Sequence, residues 1–270
     1  MNFIEKLERT SRKNKSLLCV GLDTDPDLLP ENTGVFEFNK AIIDATADLV
    51  CAYKPNIAFY EAMGNPGLDA LKMTRDYIPP EIPVIIDAKR GDIGNTAKAY
   101  ARSLFEHFNF DAMTASPYLG FDSLEPFINY KDRGIFVLCR TSNPGAADFQ
   151  SLQIEVGGVP KKLFEMVAEK VNRWNTYGNL GLVVGATYPQ ELKVIRERYP
   201  VIPLLIPGVG TQGGELADVA RYGVDAGRVR TVINSSRQVL YASRGKDFAS
   251  AARKAAADLR NKINEYLDAR

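Results

Sequence analysis

Eight short apolar runs, each closed by polar or turn-forming residues and separated by stretches of helical periodicity, constrain the fold of this chain more than any other feature. They cover residues 16–22, 52–56, 83–87, 111–115, 134–140, 180–184, 201–206 and 229–233. Most are nearly continuous in apolar residues rather than alternating, as expected of parallel strands covered on both faces. Helical spacing follows each run: Phe38, Ile42, Ala45 and Leu49 after the first, and Ala97, Tyr100, Ala101, Leu104, Phe105 and Phe108 after the third. Further helices are predicted over 2–13, 68–77, 124–129, 163–174, 190–198, 213–222 and 248–263. Residues 146–159 show little periodicity and are predicted to be a loop long enough to move over a site. Strand and helix alternate without a linker or a break in composition. The pattern therefore predicts an α/β chain, a single (β/α)8 TIM barrel spanning residues 1–270 as one domain, a length close to the usual size of about 250.

In such a barrel the functional groups sit at the C-terminal ends of the strands. Asp23, Lys54, Asp87, Lys89 and Ser142 all fall there. The third run is the most informative, reading I-I-D-A-K-R-G-D-I-G over residues 85–94. Side chains two apart on a strand share a face, so Asp87 and Lys89 are expected to point together, with Asp92 past the turn. Carboxylates flanking an ammonium are costly to desolvate unless they pair or serve a charged ligand. A solvated turn, with Asp92 as a helix N-cap, is the structural alternative.

A second cluster has the character of an anion site. Residues 207–214 read P-G-V-G-T-Q-G-G, where glycines let backbone N–H groups approach a phosphate and a helix N-terminus follows. Arg237, after the eighth run, can fork onto phosphate oxygens. Gly208, Gly210 and Gly213 also spell the dinucleotide fingerprint G-x-G-x-x-G. That motif belongs to the first strand and helix of an open sheet, whereas six strands precede it here. A ligand-free tight turn remains the alternative.

Charge and composition narrow the partners. With 34 basic and 33 acidic residues the net charge is +1, which provides no footprint for nucleic acid or an anionic membrane. No apolar run approaches the length of a membrane span, and the amphipathic, acidic N-terminus does not resemble a signal peptide. A soluble, cytoplasmic protein is expected. Cys19, Cys51 and Cys139 are odd in number, widely spaced and set in or beside apolar runs, as buried thiols in a reducing compartment would be. His107 is the only histidine, which argues against Ser-His-Asp chemistry and His-rich metal sites. Acid-base work falls to lysines and carboxylates.

Taken together, D-x-K-x-x-D-I-G-x-T at residues 87–96, Y-K-P-N at 53–56 and P-G-V-G-x-Q-G-G at 207–214 resemble the orotidine 5'-phosphate decarboxylase family. The resemblance runs from the first strand to the eighth. The length and the N-S-S-R at 234–237 are similar to the longer bacterial branch, although many members carry glycine where Ser236 stands. The resemblance implies cofactor-independent decarboxylation of orotidine 5'-phosphate to uridine 5'-phosphate, the last step of de novo UMP synthesis, with no metal. It implies Lys89 as proton donor, Asp87 beside the substrate carboxylate, and Lys54 and Asp92 completing a Lys-Asp-Lys-Asp array. Asp92 and Thr96 would reach the neighbouring subunit's site, which implies a homodimer. Asp23 and Lys54 would contact the ribose, Ser142 the pyrimidine, and Gln212 and Arg237 the phosphate, with Pro207 and Gly213 also binding substrate.

The chemistry fits the residue types. Loss of CO2 from C6 leaves an electron pair in the ring plane, where the π system cannot delocalise it. The site must supply preorganised positive charge and a proton, and a lysine ammonium held by two carboxylates can do both. On the residues alone three rivals stay open. They are a metal-dependent sugar-phosphate decarboxylase, a Schiff-base aldolase, and a non-catalytic barrel that only binds a phosphate ligand.

Overall fold

The structure is a computed structural model that describes residues 1–209 and 215–269. Its strands are β1 (Leu18–Leu22), β2 (Ala52–Pro55), β3 (Ile85–Arg90), β4 (Ala112–Ala115), β5 (Gly134–Arg140), β6 (Gln153–Val156), β7 (Val159–Lys162), β8 (Leu180–Val184), β9 (Leu204–Ile206) and β10 (Thr231–Ser235). All except β6 and β7 join one parallel sheet in the order β2-β1-β10-β9-β8-β5-β4-β3. Bridges Tyr53–Val84 and Asn56–Asp87 connect the two end strands and bring the sheet round to a barrel. The helices are α1 (Phe3–Asn14), α2 (Val35–Thr46), α3 (Ile57–Glu61), α4 (Asn65–Tyr77), α5 (Gly94–Arg102), α6 (Phe121–Ile128), α7 (Leu163–Trp174), α8 (Pro189–Arg198), α9 (Leu216–Asp218), α10 (Arg237–Leu240) and α11 (Phe248–Asp268).

The apolar runs fill two cores. Between barrel and helices, residues such as Val20, Ile42, Ile86, Leu182 and Ile206 pack in one continuous cluster. Inside the barrel, Cys19, Ala52, Ile85, Ala112, Phe136, Val183, Leu205 and Val232 form a second, smaller one. Helix α1 closes this inner core at the N-terminal end of the strands, with Phe3 and Leu7 inserted. Phe3 meets Phe136 edge-on at 5.7 Å. Gly134 makes room for it, since a Cβ there would lie 2.3 Å from the Phe3 ring. A reciprocal capping box between Asn2 and Glu5 starts the helix. All three cysteines are buried free thiols, and burial pushes the Cys19 thiol up to about 12.

Several elements differ from their sequence-based expectation. The segment 146–159 is not a plain loop: a short 3-10 turn at Pro144–Asp148 leads into the antiparallel hairpin β6-β7. Gly157 and Gly158, at φ 60° and 79°, supply the left-handed pair that a two-residue hairpin turn requires. Strand β9 starts at Leu204 instead of residue 201, because Pro203 has no N–H for the ladder and Val201 remains exposed. Strand β10 starts at Thr231 instead of 229, and the short helix α3 was not anticipated. Beyond β9, helical structure runs from Leu216 to Gly223, while residues 213 and 214 of the predicted helix lie outside the described residues. Among the described residues no helix is long and apolar enough to cross a membrane.

Candidate active site

The C-terminal strand ends surround a cavity of about 540 Å³ whose walls include Asp23, Lys54, Asp87, Lys89, Ser142, Pro207 and Arg237. Its floor is ionic. Lys54, at the tip of β2 and only 3% exposed, places Nζ 3.1 Å from Asp87 Oδ2 and 3.9 Å from Asp23 Oδ1. Burial alone would lower the pKa of that ammonium, but Asp23 and Asp87 outweigh it and hold the value above the usual lysine range. Asp87 behaves as the mirror case. Burial would raise its pKa, yet Lys54 and Lys89, with the Lys89 and Thr114 hydrogen bonds, keep it well below the usual carboxylate range.

Lys89 Nζ lies 2.6 Å from Asp87 Oδ1, so the two side chains do share a face. The route to that contact is not a regular strand. Strand β3 slips register against β4 between Ile86 and Arg90, and Lys89 has a left-handed backbone at φ 46°. A lysine there is uncommon and strained, a feature that concentrates at functional sites. The Lys89 side chain is 50% exposed, so its charge is not enclosed within this chain as a fully buried lysine's would be.

Two buried acceptors in the cavity wall, Asp23 Oδ1 and Asn234 Oδ1, have no hydrogen-bond partner among the described residues. Buried polar atoms are normally satisfied, so these fit a ligand that brings hydroxyl or amide donors. Ser142 is placed by its backbone. Its carbonyl accepts from Thr187 Oγ1 at 3.2 Å, and Gly185 passes so close that a Cβ would lie 2.8 Å from Ser142 N. Just before it, Arg140 is fixed by Glu191 at 2.5 Å, and Gln150 Oε1 takes the Thr141 N–H at 2.8 Å. Opposite, Pro207, Gly208 and Arg237 border the cavity, with Gly208 at φ 92°. Gln212 and Gly213 lie outside the described residues. The closed parallel barrel also removes the open-sheet context that the dinucleotide fingerprint at Gly208 requires.

Asp92 and Thr96 are not brought to this cavity. The Asp92 carboxylate accepts the N–H of Ile93 at 2.8 Å, and Thr96 is exposed on α5. Asp92 is not the helix cap, because α5 starts after Ile93 without a side-chain cap. Among the described residues no group of three or more His, Cys, Asp or Glu side chains is placed to hold a metal ion.

Comparison with known proteins places the chain. Residues 16–255 match the model of the orotidine 5'-phosphate decarboxylase / HUMPS family. The chain belongs to this family. It is 53% identical over 266 residues to an orotidine 5'-phosphate decarboxylase of Dehalococcoides mccartyi strain CBDB1, covering 98% of both chains. It is also 53% identical over 260 residues to that of Herpetosiphon aurantiacus, covering 94% of this chain and 95% of the relative. Among solved structures, Leishmania donovani OMP decarboxylase superposes with a TM-score of 0.86 at 41% identity, covering 99% and 100% of the two chains. The TIM barrel is thus shared with proteins of the orotidine 5'-phosphate decarboxylase family.

Sequence reasoning assigned no role to several polar residues that line this family member's cavity, among them Thr114 and, although quoted in motifs, Asn56 and Asn234. Thr114 had a signal, a lone hydroxyl in the apolar run A-M-T-A of β4, which is an unusual residue for a strand buried on both faces.

Proposed function

We propose that this chain is a carboxy-lyase that converts orotidine 5'-phosphate to uridine 5'-phosphate without a cofactor, using Lys89 as its proton donor. One observation carries the proposal. A carboxylate at the floor of the cavity, Asp87, is held between two ammonium groups at 3.1 and 2.6 Å, and one of them, Lys89, is open to a ligand. In the reaction the C6–CO2 bond breaks and CO2 departs, the electron pair stays on C6 as a carbanion, and a Lys89 N–H proton then moves to C6. The ammonium stabilises the developing carbanion before it protonates it. Asp87, itself anchored by Lys54, holds the ammonium in position and requires no reorganisation during the step.

Asp23 and Lys54 would then meet the ribose hydroxyls, which would supply the hydrogen bond that Asp23 Oδ1 lacks among the described residues. Ser142 would meet the pyrimidine, and Pro207, Gln212, Gly213 and Arg237 the phosphate end. Binding energy gathered at the phosphate can order the loops and the charged array, and so be expressed in the transition state. The second carboxylate of the array, Asp92, would come from the neighbouring subunit of a homodimer together with Thr96. Exposed Ile93, Tyr118, Leu119 and Phe121 on the adjoining loops and the start of α6 support that reading, since apolar surface of this kind marks interaction sites. A cytoplasmic enzyme of pyrimidine biosynthesis follows from the same substrate.

The loss of orotidine 5'-phosphate absorbance on addition of the purified protein, with and without EDTA, tests the proposal. Turnover unaffected by EDTA is expected. Binding of uridine 5'-phosphate with no absorbance change would indicate a non-catalytic barrel, EDTA inhibition would indicate the metal-dependent class, and borohydride trapping of a carbonyl substrate would indicate a Schiff-base aldolase.

A further inference from the structure

The β3 slip leaves a backbone problem beside Asp87 and Lys89. Ile86 pairs with Met113 and Arg90 with Ala115, so β3 spends four residues where β4 spends two. The amides of Ala88 and Lys89 fall inside the slip and lose a regular ladder partner. Thr114 of β4, itself 1% exposed, supplies one. Its Oγ1 accepts the Ala88 N–H at 3.1 Å and the Lys89 N–H at 2.9 Å. It donates its own proton to Asp87 Oδ1 at 2.8 Å, the same oxygen that receives the Lys89 ammonium at 2.6 Å.

A hydroxyl has one donor and two acceptor positions, and these three bonds occupy all of them. Thr114 lines the cavity yet has no hydrogen-bonding capacity left for a ligand. Its bonds instead fix both ends of the Asp87–Lys89 unit, the carboxylate by donation and the strained lysine backbone by acceptance. The geometry points to Thr114 as a positioning residue for decarboxylation, one that holds Lys89 in its left-handed conformation and aims its ammonium. This inference rests on the proposed role of Lys89.

Thr114→Val removes the hydroxyl at nearly constant volume, and Thr114→Ser keeps it. The variants are compared by kcat, by affinity for uridine 5'-phosphate and by thermal unfolding, with Lys89→Ala measured alongside. We expect Thr114→Val to lose roughly 100-fold in kcat, the usual scale for a displaced catalytic group, with nucleotide affinity within about threefold of the parent. Thr114→Ser should stay within a few-fold in kcat. If Thr114→Val does not fold, Thr114→Ala, which leaves room for a bridging water, is read by the same criteria. A kcat unchanged without the hydroxyl overturns the inference, and so does a loss of kcat matched by an equal loss of nucleotide affinity. An active Lys89→Ala would instead remove the proposed role of Lys89, an outcome distinguishable from a failure confined to Thr114.

Discussion

Two aspartates with two cations apiece occupy opposite ends of this barrel. At the C-terminal end Asp87 lies between Lys54 and Lys89. At the N-terminal end Asp111, just ahead of β4, lies between Lys6 of α1 at 2.7 Å and Arg75 of α4 at 3.4 Å. The lower cluster is closed on itself. Asp111 Oδ2 also takes the Val84 N–H at 2.9 Å, Arg75 Nε reaches the Asn109 carbonyl at 2.8 Å, and all three side chains are buried. Burial lowers the pKa of Lys6 despite its partner, whereas the carboxylates around Lys54 raise that lysine's value. The upper cluster is more open, with a half-exposed Lys89 and an Asp23 oxygen that faces Lys54 at 3.9 Å but accepts no hydrogen bond among the described residues. Residue type is thus no guide to role. The lower cluster stitches α1 and α4 to the barrel floor, and the upper one leaves an ammonium open to the cavity, as its proposed role requires.

The two ends can be separated by mutation. Lys89→Ala should cause the largest effect, a fall in kcat of roughly 10^5-fold from combined loss of proton donation and charge stabilisation, measured by orotidine 5'-phosphate absorbance. A loss below about tenfold would place the chemistry elsewhere. Lys6→Met should reverse the pattern, lowering unfolding stability by about 3 kcal/mol in urea while kcat stays near the parent value, because it strips one cation from a buried carboxylate. Arg237→Ala should lower kcat/KM by roughly 10- to 100-fold, the range for a charge-assisted contact to phosphate, and an unchanged kcat/KM would exclude that contact.

The smallest effect concerns pH. The Asp87 carboxyl is depressed in the folded state, so its contribution to stability is fully present above the unfolded value of about 4 and is lost as pH falls through the folded value. Stability should not respond to this group between about pH 5 and pH 8. Asp87→Asn should lower the neutral plateau of a stability profile and flatten its acid limb.

The contrast also explains what could be read from the sequence. Asp23, Lys54, Asp87 and Lys89 were legible because a polar residue closing an apolar run marks a strand end, and strand ends converge in a barrel. Their convergence on one cavity follows from that periodicity. The Lys6–Asp111–Arg75 cluster was not legible, since its members are far apart in sequence and sit where periodicity assigns no special position. Thr114 was hidden because its role depends on the β3 slip, a register feature that local pattern does not encode. The β6-β7 hairpin was missed although V-G-G-V carries the turn signal, because the alternation in Q-I-E-V is only four residues long and its partner V-P-K-K, with a proline and two lysines, has none. Asp92 and Thr96 point to another limit, since residues proposed to act in a neighbouring subunit leave no signature in the cavity of their own chain.

The contrast depends on Lys89 serving chemistry and not stability. Its ion pair with Asp87 is half exposed, and Asp87 retains Lys54 and Thr114 when Lys89 is removed. Urea unfolding of Lys89→Ala beside the parent tests this most directly. The expected result is an unfolding free energy within about 1 kcal/mol of the parent, in a variant that no longer decarboxylates. A loss of about 3 kcal/mol or more, the scale expected for the lower cluster, would show that the upper one is also a structural clasp and would contradict the account.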